Sequence, residues 1–176
     1  MQRIPYPVLT PAQEEQHARA KINLSKIMFL LPPKILAGMS AAGKAMLFES
    51  PYDPLLRELI ILRVGYLSNC EYEAHQHRVY GRQMGLSDAQ VEAAMAPTLG
   101  APLTQREQDV LRFTEEVVVN VRPSDVALAG ARRHLSDSEI LETLFIISNY
   151  MFIARVIETS GIPLDAPGVI VSNPDK

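Results

Sequence analysis

Four hydroxyl residues each stand three positions before a glutamine or glutamate: Thr10 before Gln13, Ser87 before Gln90, Thr104 before Glu107 and Ser136 before Glu139. This is the capping-box spacing, in which the hydroxyl and the third residue each satisfy a backbone N–H left over by the first helical turn. Thr10-Pro11 and Asp53-Pro54 add proline at the first helical position, where its missing N–H is no loss. No stretch alternates apolar and polar residues with period two for long, so nothing reads as a half-buried strand. The expected fold class is all-α and multi-helical.

The boxes and the punctuation between them predict helices over about 11–23, 34–48, 55–67, 71–84, 88–95, 104–121, 123–134 and 140–159. Pro32-Pro33 breaks the apolar run 27–31, Gly85 closes the fourth helix, and Gly161 with Pro163 stops the last. Ser68 or Asn69 is the expected cap of the helix over 71–84. Val117–Val121 is β-rich, but it continues a 3.6-residue period from Val110, Leu111 and Thr114 and so is read as helix. The chain of 176 residues fits one domain over 1–176, with an extended proline-bearing arm at 1–10 and a tail at 164–176.

Net charge is −3, which argues against a dedicated nucleic-acid binder. One cysteine excludes an intrachain disulfide and with it a disulfide-stapled secreted scaffold. The first ten residues carry two prolines and lack the charged-then-apolar pattern of a signal. No uninterrupted apolar run reaches the ~18 residues of a membrane span, the longest being broken by Arg63, Asn149 and Arg155. A soluble cytoplasmic protein without a membrane partner is the expectation. Two segments, 55–67 and 140–157, are apolar around most of a helix and need cover on every side. One can sit at the centre of a domain this size; two together predict a homo-oligomer.

The chemistry-bearing residues concentrate in 53–86, which holds the only cysteine and two of the four histidines, His75 and His77. Cys70, Glu73 and His77 are spaced three and four apart and form one stripe on a helix. Glu73 and His77 can hydrogen-bond, fixing the imidazole tautomer. Cys70 lies near the predicted helix start, where the dipole favours thiolate. His75 points about 200° away from His77 and leaves the stripe. Glu58, on the preceding helix, comes level with the stripe if the two helices pack antiparallel. A carboxylate, a thiol and an imidazole would then meet, an arrangement suited to general acid–base chemistry. Taken singly, each residue also fits a plain structural role: a small buried thiol, an exposed ion pair worth ~0.3 kcal/mol, a solvated glutamate. C-x-x-E-x-x-x-H is not a usual zinc spacing and no second ligand cluster stands out, so no metal is expected.

The run Arg57-Glu58-Leu59-Ile60-Ile61-Leu62-Arg63-Val64, then Asn69-Cys70-Glu71-Tyr72-Glu73-Ala74-His75-Gln76-His77, then Gly85-Leu86-Ser87, resembles the carboxymuconolactone decarboxylase family, of the alkylhydroperoxidase D-like superfamily. The resemblance covers 44–95 well and the later helices more loosely. It implies an all-α fold, assembly into trimers or hexamers, and a relay in which glutamate and histidine help deprotonate a cysteine. Peroxidase-type members carry C-x-x-C-x-x-x-H with an upstream glutamate. Glu58 matches the relay glutamate, Cys70 the first cysteine and His77 the relay histidine, while Tyr72 stands where the peroxidase has a further histidine. The second cysteine, which attacks peroxide in those members, is here Glu73. Disulfide cycling within one subunit is therefore impossible, and a reactive Cys70 would need an external thiol to resolve its sulfenic acid.

The resemblance extends to a branch that uses no cysteine pair and acts on a small carboxylated lactone. There His77 would be the general base, oriented by Glu73 or Glu58, and Arg63 or Arg155 could hold a substrate carboxylate. The leading expectation is acid–base chemistry on a small carboxylated molecule through Glu58, Glu73 and His77, with Cys70 as a candidate nucleophile. Single-cysteine peroxidase activity and a non-enzymatic oligomer that kept the fold are the rivals. No Gly-rich phosphate loop is present, so no organic cofactor is expected.

Overall fold

The structure, a computed structural model, describes residues 2–166 and residue 169. Among these no strand forms, as expected for an all-α chain. The helices are α1 (Pro11–Ala20), α2 (Asn23–Met28), α3 (Pro33–Lys44), α4 (Pro54–Leu67), α5 (Glu71–Met84), α6 (Asp88–Ala94), α7 (Gln105–Asn120), α8 (Asp125–Arg132) and α9 (Asp137–Ser160). All four capping boxes close. At Thr104, for example, the backbone N–H donates to Glu107 Oε2 at 2.6 Å, and the Glu107 N–H donates back to Thr104 Oγ1 at 3.3 Å.

Three boundaries differ from expectation. The first helix stops at Ala20, because Lys21 turns left-handed at φ 59°, and a separate helix begins at Asn23. The third gives way after Lys44 to a π-helical stretch, Ala45–Glu49. The helix over 71–84 is capped by Cys70 and not by Ser68 or Asn69; Asn69 takes φ 50° instead and turns the chain. The β-rich 117–121 segment is helical as far as Asn120, and Val121 ends it at φ 66°.

Backbone contacts divide the chain into two units, Met1–Ser50 with Arg155–Lys176, and Pro51–Ala154. In the first, the N-terminal arm is tied down: the N–H groups of Arg3 and Ile4 both donate to the Ser160 carbonyl at the end of α9. Asn23 donates its backbone N–H to Asp165 at 2.6 Å and its side-chain amide to the carbonyls of Pro163 and Leu164. The expected tail thus begins with residues that hold the start of α2; its positions 167, 168 and 170–176 lie outside the described residues.

In the second unit α4 takes the central place. It is buried continuously from Leu56 to Gly65, packed against α5, α6 and α7. That burial includes three charged residues, Arg57, Glu58 and Arg63. Leu59, Ile60, Ile61 and Leu62 form the core with Val110, Leu111, Phe113, Ile146 and Ile147. The other all-round apolar helix, α9, is not fully covered: Leu141, Phe145 and Phe152 are 68%, 43% and 36% exposed along one face. By length and composition α9 could cross a membrane, a test that the core helix of a soluble protein also passes, and 39% of its apolar window is buried within the chain.

Candidate active site

The site lies between α4 and α5, which run antiparallel after the tight turn at Ser68-Asn69. Two glycines lie on the facing sides of the pair. A Cβ placed at Gly65 on α4 would stand 3.4 Å from Glu73 Cβ on α5, and one at Gly81 on α5 would stand 3.7 Å from Glu58 Cβ on α4. Each helix thus presents a glycine where the other carries a glutamate.

Between these points His77 Nδ1 meets Glu58 Oε2 at 2.7 Å. Both side chains are buried, His77 to 3% exposure and Glu58 to 0%. An ionised glutamate can only accept, so Nδ1 donates and the remaining lone pair of a neutral imidazole falls on Nε2. Glu58 Oε1 has no hydrogen-bond partner among the described residues. The anticipated bond from Glu73 to His77 is therefore replaced at Nδ1 by one from Glu58, the residue that the antiparallel packing brings level.

Glu73 is buried in the first turn of α5, and Cys70 is buried immediately before it at the N-cap. The Cys70 N–H donates to the Gly65 carbonyl at 2.9 Å, and its carbonyl accepts from Ala74 at 3.1 Å. All four expected residues thus stand on the α4–α5 pair, buried. Among the described residues no three His, Cys, Asp or Glu side chains stand in metal-holding geometry. His75 is only half-buried and outside the group.

Aromatic neighbours complete the site and were not anticipated. Tyr150, from α9, stacks on His77 edge to face, with ring centroids 4.9 Å apart and planes at 86°. Tyr80, one turn along α5, lies at 6.4 Å and 84°. Burial, then the charges of Glu58 and Glu73, hold the Tyr150 phenol well above its usual pKa. Burial and then Glu58 push the Tyr80 phenol up, and Arg57 partly offsets this. Both phenols therefore stay neutral O–H groups at physiological pH. Tyr80 could have been found from its i+3 spacing to His77. Tyr150 carries no local signal, since it arrives from a helix far along the chain.

Of the arginines suggested for a substrate carboxylate, Arg63 is engaged elsewhere. Arg63 is buried and committed: it donates to the carbonyls of Ala94 and Ala96 at 3.0 and 2.6 Å, pairs with Glu115, and lies over the Tyr66 ring. It locks the end of α6 to α4 and α7. Arg155 is exposed on α9. The cation whose charge both site phenols feel is Arg57, buried beside Glu58.

The carboxymuconolactone decarboxylase family matches residues 33–116, which include Glu58, Cys70, Glu73 and His77. Two solved structures share the fold. One is an uncharacterized peroxidase-related protein from Silicibacter sp. TM1040, with 18% identity and TM-score 0.80, covering 96% of this chain and 94% of that one. The other, an alkylhydroperoxidase AhpD core described as an uncharacterized peroxidase-related protein from Ralstonia eutropha JMP134, has 16% identity and TM-score 0.80, covering 98% and 96%. No curated protein sequence matches significantly. The segment that holds the buried glutamate–histidine pair is thus the one that matches the carboxymuconolactone decarboxylase family, and the helical fold around it is that of the solved peroxidase-related structures.

Proposed function

We propose that this protein is an enzyme that moves a proton on a small carboxylated molecule, with His77 Nε2 as the base and Glu58 as the residue that orients it. The supporting observation is the buried 2.7 Å bond between Glu58 Oε2 and His77 Nδ1, in a chain whose position 73 is glutamate where disulfide-cycling members need a thiol. Glu58 fixes the tautomer and balances the imidazolium formed when Nε2 takes a proton. The base removes a proton from carbon beside a carbonyl and returns it to the product. In a decarboxylation, the electron pair of the breaking carbon–carboxylate bond passes into the carbonyl as CO2 leaves, and the carbon is protonated by His77, which takes that proton from solvent. Buried Arg57 supplies positive charge near the phenols, which favours an anionic substrate.

A single-cysteine peroxidase is the second reading, favoured by the peroxidase-related description of the structural neighbours. The Cys70 thiolate would attack the peroxide O–O bond, releasing alcohol and becoming a sulfenic acid that two equivalents of external thiol reduce to the Cys70 thiol and water while forming their own disulfide. The exposed Leu141–Phe145–Phe152 stripe supports a homo-oligomer, and the family resemblance suggests a trimer or hexamer.

Deuterium incorporation from D2O into a panel of small carboxylated lactones and β-keto acids, followed by NMR, separates the two. The wild type and Cys70→Ser are expected to exchange, while His77→Ala loses about 10²–10⁴-fold. Hydroperoxide reduction with dithiothreitol that Cys70→Ser abolishes, without any His77-dependent exchange, would overturn the proton-transfer reading in favour of the peroxidase.

A further inference from the structure

The His77 ring turns on its Cα–Cβ and Cβ–Cγ bonds, and the hydrogen bond at Nδ1 restrains that rotation from one edge only. Something else must hold its plane if Nε2 is to keep one direction. Tyr80 sits on α5 with His77 and moves with it, so it cannot hold the imidazole against α4. Tyr150 comes from a different helix, is buried, and meets the imidazole at 4.9 Å with perpendicular planes.

Its own position is anchored. Thr143 stands seven residues before Tyr150, two turns back on the same face of α9. Thr143 Oγ1 donates to the Glu139 carbonyl at 2.8 Å, which uses its only proton. The Tyr52 hydroxyl, 2.8 Å from Thr143 Oγ1, is therefore the donor in the bond between them. Tyr52 lies just ahead of α4, and burial pushes its phenol up to about 12, in keeping with a phenol that keeps its proton. The Tyr52–Thr143 bond thus ties α9 to the start of α4, the helix that carries Glu58.

We propose that Tyr150 is a positioning residue whose ring, braced through Thr143 and Tyr52, clamps the plane of His77 so that the Glu58 bond is kept and Nε2 faces one direction. This rests on the proton-transfer reading for its use in catalysis, but the clamp itself can be observed without a substrate. The ring supplies the clamp, so Tyr150→Phe preserves it and Tyr150→Leu removes it.

The decisive measurement is NMR of protein labelled with [15N]histidine. Four histidines are present, and His77→Asn assigns the signal. The wild type and Tyr150→Phe are expected to show one tautomer for His77 and a persistent downfield Nδ1–H resonance. Tyr150→Leu, with helical content retained by circular dichroism, is expected to lose that resonance and show mixed tautomers. Where activity is measurable, kcat should drop by up to about 10²-fold in Tyr150→Leu with KM little changed, as a misdirected catalytic group predicts, and Tyr150→Phe should restore it. If Tyr150→Leu does not fold, Tyr150→Met, with a longer and more adaptable side chain, is read in the same way. Retention of the downfield resonance and single tautomer in folded Tyr150→Leu overturns the clamp. So does their loss in Tyr150→Phe, which would assign the hold to the phenol oxygen. Failure of the deuterium exchange with the resonance pattern intact would refute the proposed reaction and leave the clamp standing.

Discussion

Replacing His77 by leucine should destabilise the protein far more than replacing Glu58 by leucine, and the two losses should not add. Glu58 is fully buried, its Oε2 is bonded to His77 at 2.7 Å, and its Oε1 has no hydrogen-bond partner among the described residues. His77→Leu strips the bond from a carboxylate that water cannot reach, and breaking a buried pair in this way costs about 3–5 kcal/mol. Glu58→Leu leaves an imidazole that can sit neutral with one unsatisfied N–H, a loss of about 1–3 kcal/mol. The double variant leaves no stranded polar group, so it should be more stable than the sum of the singles implies by about 2 kcal/mol or more. Urea unfolding followed by far-ultraviolet circular dichroism at pH 7 and one protein concentration measures all four corners. With a slope of about 2–3 kcal/mol per molar, His77→Leu should move the midpoint down by about 1–2 M. Additivity within ~0.5 kcal/mol would refute a coupled buried pair.

Two further outcomes are expected. Val121 holds φ 66° at the end of α7 with its side chain 85% exposed, so Val121→Gly should relieve backbone strain without losing packing. The gain is about 1 kcal/mol, or a Tm rise of about 2–4 °C for a chain of this size; an unchanged or lower Tm in calorimetry would count against the strain. Burial raises the pKa of Asp109, but hydrogen bonds from His134, Arg133 and Gln105 outweigh it and hold the carboxyl below its usual value. A folded pKa below the unfolded ~3.9 contributes stability that is complete above the unfolded value and is lost as pH falls through the folded one. Asp109→Asn should therefore be less stable at pH 7 and show a shallower fall of Tm between pH 5 and 3, the two curves converging at low pH; parallel curves would exclude the effect.

Local signals were legible in the sequence. The four capping boxes fix helix starts because both partners of each box lie within four residues, and no distant contact is needed to read them. The i+4 stripe on α5 and the antiparallel return of Glu58 follow from helix geometry and a short turn. What could not be read depends on contacts between distant segments or on backbone choices that several residues permit. Lys21 and Asn69 adopt positive φ without being glycine, which splits one expected helix and moves the cap of another to Cys70. Glu73 and Glu58 were equally placed on paper to bond His77, and only the packing of α5 on α4 decides between them. Tyr150 reaches the imidazole from α9. Arg63 looked available for a ligand until the carbonyls of Ala94 and Ala96 took it.

The reciprocal glycines of α4 and α5 bear on how a site of this kind can diversify. Gly65 faces the first carbon of residue 73, at 3.4 Å from where a Cβ of its own would stand. A thiol and a carboxylate share that first carbon. The contact made to Gly65 is therefore one that either group would make, whichever chemistry position 73 carries. The glycines keep the facing backbone bare at these two points, and the chemistry is written in the side chains that stand between the helices.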